Sequence, residues 1–347
     1  MITKGSELRE FPVGEGRAVE QVLKLRNLKV VFPTDYGLIR AVEGVDLDIY
    51  HRECVALVGE SGCGKSVTSQ AVMRLLDSPP ALIRMDVLEF DGRDLTQCTE
   101  AEMQEIRGKE LAMIFQDAMT SLNPVMTVGN QIDEMYRRHY GDSKQAAREK
   151  TVHALELIGI PEPKERANSF PHQLSGGMRQ RVLLAMAFAC MPKLIIADEP
   201  TTALDVTIQA QVLKTLRGMQ RGCGTSLLLV THDLSVVAKM ADRVYVMYAG
   251  KIVEKAPVKE LFTNPHHPYT VGLMAAVPRL TDEKKKFTQI PGTVPSPVHK
   301  PSGCYFHPRC EYATERCRRE MPRLEPMGRD RQVRCFHPLG VGGKSSD

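Results

Sequence analysis

The chain has 347 residues, 46 lysines and arginines against 42 aspartates and glutamates, a net charge of +4 and 42% apolar residues. These proportions fit a folded globular protein with a full core and an accessory region, and with no basic block longer than Lys284–Lys286 they give no electrostatic case for binding nucleic acid. No apolar run approaches the roughly 18 to 20 residues that span a bilayer, and the charged start MITKGSELREFPVGEG lacks the apolar centre of a secretion signal. The chain therefore reads as cytosolic, and its nine cysteines as metal-binding, reactive or buried thiols, not disulfides.

Residues 1 to about 24 read as a loose arm. VLKLRNLKVVFP, AVEGVDLDIY and CVALVG follow as three strands, with turn signals at Asp35-Tyr36-Gly37 and near Arg52. The glycine-rich GESGCGKS leads into the helical SVTSQAVMRLL. LAMIFQ, KLIIAD, SLLLVTH and RVYVMYAG are short apolar runs rich in β-branched residues, the mark of buried parallel strands. Between LAMIFQ and KLIIAD lies a helix-rich segment, so the pattern predicts an α/β sheet carrying an inserted helical lobe. After Lys255 the composition shifts to a short helix in PHHPYTVGLMAAVP, a proline-rich stretch and a cysteine-bearing tail.

The chemistry begins at Gly59-Glu60-Ser61-Gly62-Cys63-Gly64-Lys65-Ser66, followed by Val67, which matches the phosphate-loop pattern in its confirming context between strand and helix. Glycines let backbone N–H groups curl around a β-phosphate, Lys65 reaches the β- and γ-oxygens, and the Ser66 hydroxyl is a ligand for Mg²⁺. Asp198, at the end of KLIIAD, sits where a Mg²⁺ carboxylate is wanted, and Glu199 beside it can polarise an attacking water. Gln116 and His232 close two other strands, at the edge where open α/β sheets keep their ligands; Gln116 is read as reaching the metal or the water, His232 as holding the γ-phosphate and the water. A second anion-binding signal is LSGGMRQR, where Ser175 is a natural N-cap and Gly176 and Gly177 bare the start of a helix.

The order GESGCGKS, IFQD, LSGGMRQR, IIADEPTTALD and VTHD resembles the nucleotide-binding subunit of an ATP-binding-cassette (ABC) transporter over about residues 25–255. The resemblance implies a P-loop NTPase domain of ABC type, with a RecA-like core, an antiparallel β subdomain and an inserted helical subdomain (about 117–192), and a small cysteine-rich extension at 261–347. It also implies that ATP with Mg²⁺ is bound between two head-to-tail subunits. Ser175, Gly176 and Gly177 would then cap the γ-phosphate held by the other subunit, and Asp205 would lie in the loop that couples the two sites; an N-cap is the local alternative for Asp205. Tyr36 occupies the place where family members stack an aromatic on adenine, and Arg52 stands where relatives commonly have glycine.

FQDAMTSLNPVMTVG and PHHPYTVGLMAAVP, followed by the cysteine tail, are similar to the oligopeptide/dipeptide and nickel importer branch. Within it, TSLNP is the expected docking segment for a membrane subunit, with a plain turn as the local alternative. Cys304, Cys310, Cys317 and Cys335 supply four thiolates for a 4Fe-4S cluster, zinc being the alternative, with His307 and His337 as substitute ligands and free or buried thiols as the third reading. No closely spaced cysteine pair is present, and the wide gaps lean towards the cluster.

The expected function is an ATPase that energises import of peptides or related solutes from the cytoplasmic face of the membrane. Its expected partners are a second ATPase subunit, either identical or a paralogue, two membrane permease subunits and an extracytoplasmic solute-binding protein, with no nucleic acid. The rivals are a soluble ABC ATPase of DNA repair or the ribosome, for which the long coiled-coil insertion is missing, and a regulatory module with a dead nucleotide site.

Overall fold

The computed structural model describes residues 20–116, 121–201, 205–276 and 290–340. Two sheets organise the chain. The first is antiparallel and built on the long hairpin of β1 (Gln21–Thr34) and β2 (Gly37–Tyr50), flanked by β4 (Leu82–Arg84), β5 (Val87–Phe90) and β6 (Arg93–Asp94). The second has eight strands in the order β12-β13-β11-β10-β3-β9-β8-β7, comprising β3 (Cys54–Val58), β7 (Leu111–Ile114), β8 (Leu194–Asp198), β9 (Ser226–Thr231), β10 (Arg243–Tyr248), β11 (Lys251–Pro257), β12 (Glu325–Pro326) and β13 (Gln332–Val333).

The strands β10, β3, β9, β8 and β7 run parallel. Every residue of β3, β8 and β9 is buried, because helices or the hairpin cover both faces, which explains their uninterrupted apolar sequences. In register, Val58 lies opposite Thr231, Asp198 opposite Val230 and Ile114 opposite Ala197. The loops that follow β3, β7, β8 and β9 therefore leave the sheet along one edge.

The turn before β3 accounts for the unusual Arg52. Its backbone is left-handed (φ 63°), a conformation that costs an L-residue about 1 kcal/mol and explains why glycine is the easier choice there. The turn is held by the Arg52 N–H donating to Ser226 Oγ (2.9 Å) and by Gln220 donating to the Arg52 carbonyl (3.0 Å).

The helices Val128–Tyr140, Lys144–Leu157 and Gly176–Phe188 form a lobe with its own apolar centre of Val128, Ile132, Tyr136, Leu155 and Val182. The cysteine-bearing segment does not stand apart: β13 pairs with β11, and Phe306 packs in one cluster with Tyr248, Tyr269 and Leu261 of the preceding region. The arm expected over residues 1–24 lies mostly outside the described residues, and β1 already begins at Gln21. Among the described residues no helix is long and apolar enough to cross a membrane.

Candidate active site

Each strand end contributes one group. After β3 the loop Gly59–Gly64 turns back on itself through positive φ at Gly59 (158°), Gly62 (77°) and Gly64 (107°) before the helix Lys65–Val72 begins. A Cβ on Gly59 would lie 2.2 Å from the Met247 carbonyl oxygen and one on Gly64 2.4 Å from that of Ala41, so both positions exclude a side chain. The Lys65 ammonium is held by the carbonyls of Gly59 (2.8 Å) and Glu60 (3.1 Å) and approaches Cys63 Sγ at 3.9 Å. An open cleft of about 370 Å³ lies over this loop, lined by Ser61, Gly62, Gly64, Lys65, Ser66, Val67, Gln116 and Glu199 together with Phe32, Ile39, Ala41 and Pro297.

The acidic pair at the end of β8 divides its contacts. Asp198 accepts hydrogen bonds from Ser66 Oγ (3.2 Å) and Ser69 Oγ (3.5 Å). Burial pushes its carboxyl above the usual carboxylate range, the Ser66 hydrogen bond opposes that shift and the Glu199 charge adds to it. A desolvated carboxylate beside a hydroxyl is a site that a divalent cation would relieve, so Ser66 and Asp198 fit Mg²⁺. Glu199 lies at φ 47°, a strained conformation for a non-glycine residue, pinned by its N–H donating to the Val230 carbonyl (2.8 Å). Its carboxylate is gripped on both oxygens: Gln116 Nε2 donates to Oε2 (2.9 Å) and His232 Nδ1 lies 2.9 Å from Oε1. Glu199 is 12% exposed and His232 56%, so the carboxylate is shielded while the imidazole is open to solvent.

Gln116, Glu199, His232, Asp198, Lys65 and Ser66 thus converge from four separate strand ends. Ser175, Gly176, Gly177 and Asp205 lie elsewhere. Ser175 caps the helix Gly176–Phe188, its hydroxyl accepting from the Met178 N–H at 3.3 Å; Ser175 and Gly176 are exposed, and neither lines the cleft. Gly177 faces Ile208, where a Cβ would approach a methyl at 2.6 Å. Asp205 caps the helix Val206–Cys223 by accepting from the Ile208 N–H at 2.9 Å, the local reading of that residue.

Tyr36 sits at the tip of the β1–β2 hairpin, 89% exposed, and is not among the residues that line the cleft, whereas Phe32 is. The two-residue turn accounts for this, because Thr34 already pairs with Gly37 and only residues further back on β1, such as Phe32 opposite Ile39, can face the phosphate loop. Pro297, from the tail, also lines the cleft, and no motif in the sequence marks it.

In the tail, Cys304, Cys310, Cys317 and Cys335 all line one small cavity together with His267, His307, Phe306 and His337. Burial pushes the Cys304 and Cys310 thiols up, and that of Cys335 to about 12. Among the described residues no three His, Cys, Asp or Glu side chains are gathered closely enough to hold a metal ion. The imidazoles are engaged otherwise: His307 Nδ1 lies 3.0 Å from the Cys304 carbonyl and His337 Nε2 3.0 Å from Thr314 Oγ1.

A family model described as ABC transporter matches residues 42–202, and a second, described as Oligopeptide/dipeptide transporter, C-terminal region, matches 253–317. The fold is that of solved cassettes. The dimeric structure of MJ0796, a bacterial ABC transporter cassette, is 27% identical with a TM-score of 0.60 over 68% of this chain and 98% of that one. A post-hydrolysis dimer of MJ0796 bound to ADP and Pi is 26% identical with the same TM-score and coverage. Strand order, phosphate loop and acidic strand end together define an ABC-type ATPase. The oligopeptide transport ATP-binding protein OppD of Bacillus subtilis is 52% identical over 85% of this chain and 83% of its own length. The dipeptide transport ATP-binding protein DppD of Escherichia coli is 46% identical over 93% and 98%. The chain belongs to this family of oligopeptide/dipeptide ABC transporter ATP-binding proteins.

The crowding at Gly64 makes a direct prediction. Gly64→Ala forces the loop away from Ala41, and nucleotide binding measured with a fluorescent ATP analogue should be lost at concentrations that saturate the unaltered chain; binding within twofold of the original would contradict the close approach.

Proposed function

We propose that this chain energises the import of di- and oligopeptides, hydrolysing ATP as half of a head-to-tail pair that drives membrane permease subunits. The observation that carries the catalytic part is the grip on Glu199: a shielded carboxylate whose two oxygens are held by Gln116 and His232, one residue from the Ser66–Asp198 pair. Glu199 is the general base that polarises the attacking water, Gln116 and His232 orient it, and Lys65 with the loop N–H groups neutralises phosphate charge. Ser66, Asp198 and Gln116 would hold Mg²⁺, which when bound neutralises charge on the β- and γ-phosphate oxygens.

Support for the trans role of Ser175, Gly176 and Gly177 comes from the exposure of Ser175 and Gly176 and from the absence of all three from the lining of the cleft in the same chain. In the pair, that helix start meets the γ-phosphate held by the neighbour, with Asp205 at the coupling loop. The second ATPase is either a paralogue or a copy, and an extracytoplasmic binding protein selects the solute. Attachment is peripheral, at the cytoplasmic face. For docking, residues 117–120 lie outside the described ones, but Ser121–Pro124 is anchored through buried Leu122 and Gln131, which bonds Asn123. A cleft of about 980 Å³ beside it, lined by Met126, Asn130, Glu134, Arg137 and Arg148, offers room for a permease segment.

The four tail cysteines are proposed to hold a 4Fe-4S cluster of structural role. Four thiols converging on one cavity support it.

Two measurements test these assignments. Glu199→Gln should keep ATP affinity within a few-fold and reduce turnover by about 100-fold or more, the usual worth of a general base; rapid hydrolysis by this variant would remove Glu199 from that role. Iron and acid-labile sulfide should be found near four equivalents each in anaerobically purified protein, whereas one equivalent of zinc without iron would reject the cluster.

A further inference from the structure

The phosphate loop is acidic at its second position, and the residue that answers that charge comes from the tail. Arg309 lies immediately before Cys310, and its guanidinium forms a two-pronged pair with Glu60: Nη1 to Oε2 at 2.8 Å and Nη2 to Oε1 at 3.1 Å. The arginine side chain is 4% exposed and that of Glu60 29%. The guanidinium is fixed on its own side as well, since Nε donates to the Pro291 carbonyl at 2.9 Å. A second hold acts on the same loop residue, whose backbone N–H donates to the Tyr269 hydroxyl at 2.9 Å. Tyr269 is fully buried against Tyr248 and Phe306, with ring centroids 4.6 and 5.5 Å away. Glu60 in turn presents one of the two carbonyls that hold the Lys65 ammonium.

We infer that Arg309 is a positioning residue for the phosphate loop: it fixes Glu60, and through it Lys65, in the nucleotide-binding shape and cancels a carboxylate that would repel the triphosphate. Two physical effects act in the same direction. A loop held in its bound conformation loses less entropy when nucleotide arrives, and a bidentate guanidinium–carboxylate pair is both stronger and more directional than a single ammonium contact. The contact also makes the cysteine-lined module part of the nucleotide site, because Arg309 and Cys310 are chain neighbours. The inference rests on the reading of Gly59–Ser66 as the ATP phosphate site.

The test is steady-state ATP hydrolysis and fluorescent-nucleotide binding on the full-length chain purified anaerobically, with thermal melting alongside. Arg309→Ala should raise KM and nucleotide Kd about tenfold while kcat stays within about twofold, since the hold acts on binding and not on the attacking water. Arg309→Lys, which keeps the charge and loses the fork, should fall between, about threefold. Adding Glu60→Gln to Arg309→Ala should recover part of the affinity by removing the uncompensated carboxylate. An unchanged KM in both Arg309 variants, a fall in kcat alone, or no recovery in the double variant would each overturn the inference. Should Arg309→Ala fail to melt cooperatively, Arg309→Lys and Tyr269→Phe decide, the latter expected to raise Kd about threefold by freeing the Glu60 N–H. Lys65→Ala separates the two levels: if it binds nucleotide normally, the phosphate-site reading itself is at fault; if it does not bind and the Arg309 variants are normal, only the role of Arg309 fails.

Discussion

Parallel pairing of β7, β8, β9 and β3 is the constraint on which the site depends. Four strands in register deliver Gln116, Asp198 with Glu199, His232 and the phosphate loop to one edge, although these residues are far apart in sequence. None of the loops has to be long, since the sheet supplies the distance. The same geometry explains why an acid can be kept at φ 47°: Glu199 is fixed from behind by the carbonyl of Val230 on the adjoining strand. Strain at that residue is tolerated because a rigid, doubly buried sheet stands under it.

Much of this was legible in the sequence, for physical reasons that differ by element. Doubly buried strands write continuous apolar runs, so KLIIAD and SLLLVTH declare themselves, and glycine at Gly59, Gly62 and Gly64 is demanded by backbone angles and close carbonyls. Tertiary contacts made by ordinary residues leave no such trace. Phe32 rather than Tyr36 lines the cleft because hairpin register, not spacing to Lys65, decides which aromatic faces inward. Arg309 is one of several arginines in a polar tail; only the fold brings it to Glu60. Pro297 is likewise one of many prolines in its stretch, and its place opposite the phosphate loop follows from how residues 290–300 lie across β2, where the Arg40 N–H donates to the Pro297 carbonyl at 3.3 Å.

The tail is better described as a third layer of the ATPase than as an appendage. Lys300, almost fully buried, bonds Glu43 and the carbonyls of Arg40 and Ala249, and the Tyr305 hydroxyl donates to the other oxygen of Glu43. These bonds tie the tail to β2 and to the turn after β10, and Ala41 of β2 and Met247 of β10 wall in the phosphate loop. With a shared aromatic cluster at Tyr248, Tyr269 and Phe306, the tail draws its apolar packing from the cassette.

The strand pairing of the tail also changes what the molecule offers to its surroundings. Without β13, Glu254 and Lys255 of β11 would lie unpaired at the margin of the large sheet. The chain instead ends that margin with β12, two residues long and closing on Pro326, which has no amide hydrogen to give. A short, proline-tipped border is a poor template for another strand, and it is supplied by the same segment that carries the cysteines.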